Sequence, residues 1–439
     1  MHKVYIETYG CELNRADSLL MEKVLINRGY RIVNNINEAD IIIINTCTVR
    51  KETEERMIYR IKDIYEEYVI KRNKRLIIAG CLPSAQPYLV NLNAPKADLI
   101  TPQNITLIAS VIESPKRQVL ILGSRSRSCI PLTKTNLIAS IPIADGCLGN
   151  CSFCVVKIAR RRLVSYPLKL IVRKVMRLVK SGIKEVRLTA QDTGAYGLDI
   201  YGKHYLPILL RELIEIPGAF KIRIGMMNPE HLTGIIDDLI ELMHSPKIYR
   251  FLHIPLQSGD DRVLKIMNRK YTVDEYRSLV KELKRKVPDI AIATDILVGH
   301  PGEDEEAFEN TVRVVKELEF ERIHLARYTV RPRTVSASLP QVPPHIQKER
   351  TLRLQRVIED ICLKIHKSYV GSTAKALIIE KGAKGTVIGR LHNYIPVVIK
   401  KPAKINLGTY KYVKIDEATY FDIRGHDIDK YASITPLRS

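Results

Sequence analysis

A repeated alternation of apolar strand-like runs and helical runs constrains the fold of this 439-residue chain most strongly. One strand-like run occurs about every 32 residues between positions 139 and 329, which is the length of one β-strand–helix unit. The six runs cover residues 139–144, 184–190, 221–226, 250–256, 291–298 and 322–329. Because repeated units of this kind wind with right-handed crossovers, they predict a partial (β/α)6 barrel, two units short of a closed eightfold barrel.

The first hundred residues contain a second alternation of strands and helices. Strand-like runs cover residues 4–9, 40–45 and 75–79, and helical runs cover residues 16–28 and 52–73. Continuously apolar strands are typical of parallel sheets that helices cover on both faces. The chain is therefore predicted to be an α/β multidomain protein that begins with a parallel α/β domain.

Each of the three N-terminal strands is followed at once by a cysteine: Cys11, Cys47 and Cys81. Parallel strands place their carboxyl ends at one edge of a sheet, where open α/β sheets bind ligands. We therefore expect these cysteines to converge, and favour a three-cysteine metal site over buried cysteines that only pack. Cys129 and Cys362 have no such companions and are predicted to be structural.

A second cysteine cluster follows the first strand of the predicted barrel. Cys147, Cys151 and Cys154 lie within eight residues, so one loop can present three thiolates to one inorganic centre. Thiolates are soft ligands that suit iron–sulfur clusters and zinc, and a structural zinc site needs four ligands. The spacing favours a four-iron cluster with one open iron, while zinc and unliganded thiols remain alternatives.

The segments after the barrel differ in composition. We expect five segments along the chain: an N-terminal α/β domain (1–110), a connector (111–138), the partial barrel (139–330), a linker with a long helix (331–370) and a small basic β-barrel (371–439). The connector contains a basic stretch at 125–127. The last segment has short strands separated by glycine turns, and its final strand is predicted at 419–423. A basic barrel of this kind suits single-stranded RNA, and an accessory barrel without an RNA role is the alternative.

Charge and cysteine usage narrow the class of protein further. The net charge is +22 at pH 7, which indicates a polyanionic partner and favours nucleic acid. We expect a cytoplasmic protein without a membrane partner, because no signal peptide and no apolar run of membrane-spanning length is found. Eight cysteines in so long a chain do not indicate a secreted disulfide scaffold.

These motifs together resemble the methylthiotransferases of the radical S-adenosylmethionine superfamily. The Cys147–Cys154 loop is similar to the superfamily signature, with Phe153 at the position of its usual aromatic residue. The N-terminal cysteine segments and the terminal barrel resemble the methylthiotransferase N-terminal domain and the RNA-binding TRAM module. Further similarity lies in the barrel, at Leu188–Asp192, Arg223–Pro229, Pro255–Gly259 and Asp295–Gly299.

The resemblance implies two [4Fe–4S] clusters and S-adenosylmethionine as cofactors. It assigns Cys147, Cys151 and Cys154 to the cluster that cleaves S-adenosylmethionine and generates a radical, and these cysteines are the implied catalytic residues. It assigns Cys11, Cys47 and Cys81 to a second cluster that carries the sulfur. The implied cofactor contacts are Phe153, Gln191, Asp192, Ser258 and Asp295.

The family divides by substrate, and the resemblance is strongest to the archaeal and eukaryotic branch. That branch modifies N6-threonylcarbamoyladenosine beside the tRNA anticodon, and the segments Lys157–Ser165 and Asp192–Asp199 resemble it. The implied partners are tRNA, bound at its anticodon region, and an electron donor of unknown identity. Alternatives are methylthiotransferases for isopentenyladenosine in tRNA or for a ribosomal-protein aspartate, and a non-catalytic, metal-containing RNA-binding protein.

Two positions depart from the family pattern. His300 replaces a usual phenylalanine, and Arg333 replaces a usual glycine. His300 and His253 are expected to pack in the core rather than to act in catalysis.

Overall fold

The structure is a computed structural model, and it describes residues 2–49, 51–400 and 406–428. Its N-terminal part is a sheet of six parallel strands in the order β2-β1-β3-β4-β5-β6. The strands are β1 (Lys3–Thr8), β2 (Arg31–Val33), β3 (Ile41–Thr46), β4 (Arg75–Gly80), β5 (Asp98–Ile100) and β6 (Val119–Leu120). The helices are α1 (Glu12–Asn27), α2 (Lys51–Ile64), α3 (Cys81–Ala85), α4 (Pro87–Asn93) and α5 (Ile108–Glu113). The predicted parallel α/β domain is confirmed.

The central part is the predicted partial barrel. Its parallel strands are β8 (Ile138–Pro142), β11 (Glu185–Thr189), β12 (Lys221–Arg223), β13 (Phe251–His253), β14 (Ala291–Val298) and β15 (Arg322–Arg327), preceded by the antiparallel β7 (Thr133–Lys134). Single parallel bridges join the β12 and β13 regions, so the six parallel strands follow each other in chain order. A short hairpin, β9 (Ala144–Asp145) with β10 (Val164–Ser165), flanks the second cysteine loop.

Helices connect the strands of the partial barrel and bury its outer face. They are α6 (Val155–Arg160), α7 (Leu168–Lys180), α8 (Leu206–Ile214), α9 (Pro229–Leu232), α10 (Ile236–Leu242), α11 (Asp261–Ile266), α12 (Val273–Lys286), α13 (Glu305–Leu318) and the long α14 (Pro344–Lys367). Local sequence fixes some of their ends: Thr272 caps α12 in a capping box with Glu275, and Asp304 caps α13.

The C-terminal part is a closed five-stranded barrel in the order β16-β17-β18-β20-β19. Its strands are β16 (Thr373–Lys381), β17 (Val387–Arg390), β18 (Pro396–Ile399), β19 (Tyr410–Ala418) and β20 (Ile423–Ile428). The prediction of a strand over 419–423 is wrong, because Thr419 Oγ1 accepts hydrogen bonds from the amides of Phe421 and Asp422 and forms a turn there. Residues 429–439 of the predicted terminal domain lie outside the described residues.

The small barrel packs against the amino ends of the partial-barrel strands. Tyr394 contacts the rings of Tyr249 and Phe251, with ring centroids 4.9 and 5.1 Å away. The buried Glu185, the first residue of β11, accepts a 3.0 Å hydrogen bond from the Tyr249 hydroxyl. The carboxyl ends of the strands, where ligands bind in β/α barrels, therefore face away from this contact.

A buried network of charged side chains joins the N-terminal sheet to the partial barrel. Arg160, at the end of α6, donates to Asp17 of α1 at 2.9 Å and to Asp145 of β9 at 3.0 Å. Arg125 donates to the other Asp17 oxygen at 2.6 Å and also contacts the Tyr166 hydroxyl. Burial would raise the pKa of the Asp145 carboxyl, but Arg160 and Arg125 outweigh burial and hold that pKa below its usual value. The network therefore keeps the Asp145 carboxylate ionised inside the protein.

The Arg160→Met variant should be strongly destabilised. Removing one member of a buried ionic network leaves its partners charged and unpaired, which costs roughly 3–5 kcal/mol of unfolding free energy. The matched control is Arg28→Met, which removes an exposed ion pair to Glu113 at 3.3 Å and should cost less than about 1 kcal/mol. The midpoint of the first thermal unfolding transition measures both, and equal midpoints would contradict a stabilising role for the network.

Candidate active site

The three N-terminal cysteines converge at the carboxyl edge of the first sheet. Cys11 caps α1, Cys47 follows β3, and Cys81 begins α3. The thiols of Cys11 and Cys81 point to the same acceptor, with their Sγ atoms 3.9 and 3.7 Å from Asn14 Oδ1. All three cysteines line one cavity of about 280 Å³. This is the arrangement that parallel strands ending in cysteine predict.

Glycines precede two of these cysteines and allow close approach of the backbone. Gly10 has a φ of +102°, and a Cβ atom placed on it would lie 2.7 Å from Cys47 Cβ and 3.0 Å from Cys47 Sγ. Gly80 has a φ of +92°, and a Cβ there would lie 2.4 Å from Asn45 Oδ1. Only glycine adopts such a backbone at this approach without strain. Gly10 therefore keeps space open beside the Cys47 sulfur, and Gly80 lets the chain pass close to the end of β3.

The second cysteine loop lies at the carboxyl end of β8 and β9. A Cβ placed on Gly149 would lie 3.3 Å from Cys147 Sγ and 3.9 Å from Cys151 Sγ, so both sulfurs surround this glycine. Arg269 donates a 3.1 Å hydrogen bond to Cys151 Sγ. It also donates to the Tyr271 hydroxyl and to Asn228 Oδ1, which fixes the guanidinium against the loop.

Burial governs the protonation of these thiols when no metal is bound. It raises the pKa of Cys81 and of Cys147 to about 12, and it also raises the pKa of Cys47 and Cys154. Metals bind thiolates, so binding at either site requires a cation that stabilises the deprotonated sulfurs and releases protons.

The spacing of the sulfur atoms bears on the choice of metal. In the described part of the chain, one set of His, Cys, Asp or Glu ligand atoms lies within 4.8 Å of one another, and it is His253, Asp295 and His324. Neither cysteine triad meets this limit. Sulfur atoms on one tetrahedral zinc ion lie about 3.8 Å apart, given Zn–S bonds of about 2.3 Å. A single zinc ion at either triad would therefore require the cysteine side chains to move closer together.

A larger cavity of about 660 Å³ opens at the mouth of the partial barrel. The loop after Cys47, the Cys147–Cys154 loop, β14, β15 and α14 all contribute to its wall. Val49 and Val156 line both this cavity and the cavity of the N-terminal cysteines. Cys154 of the second triad lines the larger cavity, so this cysteine and the N-terminal triad border adjoining cavities.

The five predicted cofactor contacts divide into two groups. Phe153 and Asp295 line the larger cavity, and Gln191 lines the cavity of the N-terminal cysteines. Asp192 and Ser258 are buried and line neither cavity. Asp192 accepts hydrogen bonds from the backbone and side chain of Asn228, from Gly194 and from His231, and the Ser258 hydroxyl accepts one from the Asp260 amide. The roles of all five in cofactor binding stay predictions.

The two departures from the family pattern have structural explanations. His300 is fully buried, bonded to the Pro301 carbonyl and the Ser336 hydroxyl, and its ring packs edge-on against Phe153. Burial lowers the pKa of His300 to about 4, so the ring is neutral and packs as an aromatic residue. Arg333 has a φ of +67°, the left-handed region that glycine prefers, and donates to the Ala85 carbonyl.

Several residues of the site had no clear signal in the sequence. Arg125 lies in the basic stretch of the predicted connector, yet it is buried and paired with Asp17. Asn14, Asp17 and Arg160 fall inside the segments that resemble the family, but spacing alone gave them no role. A signal was available for Asn14, which lies three residues after Cys11 and therefore on the same side of a helix.

Three family models match consecutive parts of the chain. They are described as Uncharacterized protein family UPF0004 over residues 3–102, Radical SAM superfamily over residues 141–315 and TRAM domain over residues 367–426. A probable threonylcarbamoyladenosine tRNA methylthiotransferase of Methanocaldococcus jannaschii is 40% identical over 431 residues, which cover 96% of each chain. The chain belongs to the threonylcarbamoyladenosine tRNA methylthiotransferase family.

An animal member of this methylthiotransferase family and a solved structure with a similar fold also resemble the chain. The threonylcarbamoyladenosine tRNA methylthiotransferase of Homo sapiens is 34% identical over 99% of this chain and 76% of its own length. A radical S-adenosylmethionine methyltransferase, TsrM, from Kitasatospora setae, solved with tryptophan and a SAM analogue, has a TM-score of 0.59 at 15% identity. It covers 77% of this chain and 75% of its own, and shows a shared fold.

The Gly10→Ala variant of this methylthiotransferase-family chain should bind less iron. Its added methyl group would press on Cys47 and Asn14, in addition to the strain of a positive φ. The matched control is Gly29→Ala, which has a φ of +84° and no atom within 4 Å of the added Cβ. Iron per chain after anaerobic reconstitution is the measurement. An equal iron content in the two variants would show that the space beside Cys47 that Gly10 keeps open is not needed for iron binding.

Proposed function

We propose that this chain is a cytoplasmic tRNA methylthiotransferase. It converts N6-threonylcarbamoyladenosine beside the anticodon to the 2-methylthio derivative, and it uses S-adenosylmethionine and two [4Fe–4S] clusters. The observation that supports this most is that the N-terminal cysteine triad and Cys154 of the second triad line adjoining cavities, which share Val49 and Val156. A single cysteine site would suit a metalloprotein, whereas two neighbouring sites suit a reaction that joins sulfur to carbon.

The two triads would hold the two clusters. Cys147, Cys151 and Cys154 would hold the cluster that binds S-adenosylmethionine. Cys11, Cys47 and Cys81 would hold the other cluster, in the cavity that Gln191 also lines. When bound, the clusters and S-adenosylmethionine supply the radical chemistry, the sulfur and the methyl group. Such cofactor chemistry is needed because an adenine C–H bond is too inert for acid–base catalysis by side chains.

The protein's own residues position these groups and exclude water. Arg269 donates to Cys151 Sγ, which orients this ligand and balances negative charge at the sulfur. Arg160 lines the N-terminal cavity while its own charge is paired with Asp17 and Asp145. Apolar side chains, among them Val156 and Phe153, line the larger cavity and limit access of water to reactive species.

The remaining features support a tRNA substrate. The net charge of +22 and the TRAM domain suit RNA, and the curated relatives are named for action on threonylcarbamoyladenosine in tRNA. In residues 2–49, 51–400 and 406–428, no helix is both long and apolar enough to cross a bilayer. We propose the domain limits 1–110, 139–330 and 371–439, with a connector and a long-helix linker between them, and an electron donor as a second partner.

Iron content and cofactor cleavage test the assignment of the clusters. The reconstituted protein should contain about eight iron atoms per chain, and Cys147→Ala and Cys11→Ala should each contain about four. Cys147→Ala should form no 5′-deoxyadenosine under reducing conditions, whereas Cys11→Ala should still form it. Cys129→Ala is the control and should keep the full iron content. Stoichiometric zinc and no iron in the reconstituted wild-type protein would contradict the proposal.

The modified nucleoside tests the substrate. tRNA treated with the reconstituted protein should yield 2-methylthio-N6-threonylcarbamoyladenosine in nucleoside mass spectrometry, and Cys11→Ala should yield none. A 2-methylthio group found only on isopentenyladenosine, or no change in tRNA, would move the chain to another branch of the family.

A further inference from the structure

One wall of the larger cavity carries hydrogen-bond donors that lack partners. Arg331 and Tyr328 both line this cavity and are each 3% exposed. Among the described residues, Nε and Nη2 of Arg331 and the hydroxyl of Tyr328 have no hydrogen-bond partner. Buried donors that stay unpaired destabilise a protein, so donors at a cavity wall indicate a ligand that satisfies them.

The orientation of the Arg331 guanidinium is fixed from the other side. Nη1 donates to Glu54 Oε1 at 3.1 Å, and the second Glu54 oxygen accepts hydrogen bonds from Thr48 and Gln86. Both oxygens of the Glu54 carboxylate therefore have hydrogen-bond partners, and this carboxylate holds Nη1 of the guanidinium in place. The unpaired Nε and Nη2 form the opposite edge, which has the two-donor geometry that binds a carboxylate.

The surroundings favour an anionic group at this wall. Arg327 and Lys348 also line the cavity and are exposed, which adds positive charge near Arg331. The carboxylates of Glu52 and Asp295 line the cavity as well, and Asp295 lies 3.1 Å from His253 Nε2. An anionic ligand is thus attracted toward the edge formed by Arg331 and Tyr328.

We infer that Arg331 and Tyr328 form a carboxylate-binding subsite, and that its ligand is the free carboxylate of the threonyl group on the tRNA base. This inference rests on the proposed function, since a threonine attached through its nitrogen keeps its carboxylate. The guanidinium edge accepts both carboxylate oxygens and the Tyr328 hydroxyl donates to one of them. The subsite selects a threonylcarbamoyl group against a neutral substituent of similar size.

The test compares two anticodon stem-loop RNAs that differ in one group. One carries N6-threonylcarbamoyladenosine, and the other carries the same group with the carboxylate replaced by a hydroxymethyl group. Charge-assisted hydrogen bonds of this kind change affinity about ten- to hundredfold, so the wild-type chain should bind the first RNA tighter by that factor. Fluorescence anisotropy with the reconstituted, full-length protein measures the ratio without any turnover.

Variants distinguish binding by Arg331 from a structural role. Glu54→Gln combined with Arg331→Gln keeps a neutral hydrogen-bonding pair, so neither partner is left as a buried charge, and its affinity ratio should fall to about one. Glu54→Gln alone keeps the guanidinium and an amide oxygen that can accept from Nη1, so it measures how much of any fall in the ratio comes from loss of the Glu54 charge. Arg356→Gln removes an exposed charge from α14 and should weaken both RNAs equally, with the ratio unchanged.

Two results would overturn the inference. A ratio near one in the wild-type protein would show that the carboxylate is not recognised. A double variant that keeps the ratio but loses binding of S-adenosylmethionine, measured by equilibrium dialysis, would assign Arg331 to the methionyl carboxylate. The proposed function fails separately, through absence of the 2-methylthio product, because the affinity ratio does not depend on turnover.

Discussion

The buried contact of Arg160 with Asp17 and Asp145 sets the geometry on which the rest of the structure depends. Its three members belong to three parts of the chain: the helix after Cys11, the strand before Cys147 and the helix after Cys154. Charges this deeply buried are stable only when their hydrogen bonds are satisfied together. The network therefore has one low-energy arrangement, and in it the N-terminal cysteine triad and Cys154 border adjoining cavities.

Asn14 links this network directly to the cysteines. Its side-chain oxygen accepts a 2.7 Å hydrogen bond from Arg160 and faces the Sγ atoms of Cys11 and Cys81. Its amide nitrogen donates to the Tyr9 and Thr46 carbonyls, at the ends of two parallel strands. One amide group thus couples the strand ends, the thiols and the contact with the partial barrel. A shift of the N-terminal sheet relative to the partial barrel would therefore move the sulfur atoms of Cys11 and Cys81.

The larger cavity depends on a third element, the chain after β15. Arg331 reaches from this segment to Glu54 of the N-terminal part, and Ser336 hydrogen-bonds to Ser152 in the cysteine loop. The small C-terminal barrel contacts the opposite ends of the barrel strands, beside Tyr249 and Phe251. The terminal barrel and the mouth of the larger cavity are therefore at different ends of the partial barrel.

The sequence by itself determined the class of fold, and it singled out six cysteines as candidate metal ligands. Alternating apolar runs follow directly from the burial of each strand and helix, and strand-end cysteines in parallel strands must share an edge. Spacing along the chain could not determine which polar groups are buried together. Arg125 and Asp17 are 108 residues apart, and Arg331 and Glu54 are 277 apart. Only the tertiary structure decided these pairs, because the free energy of a buried charge depends on partners that the fold brings from distant segments.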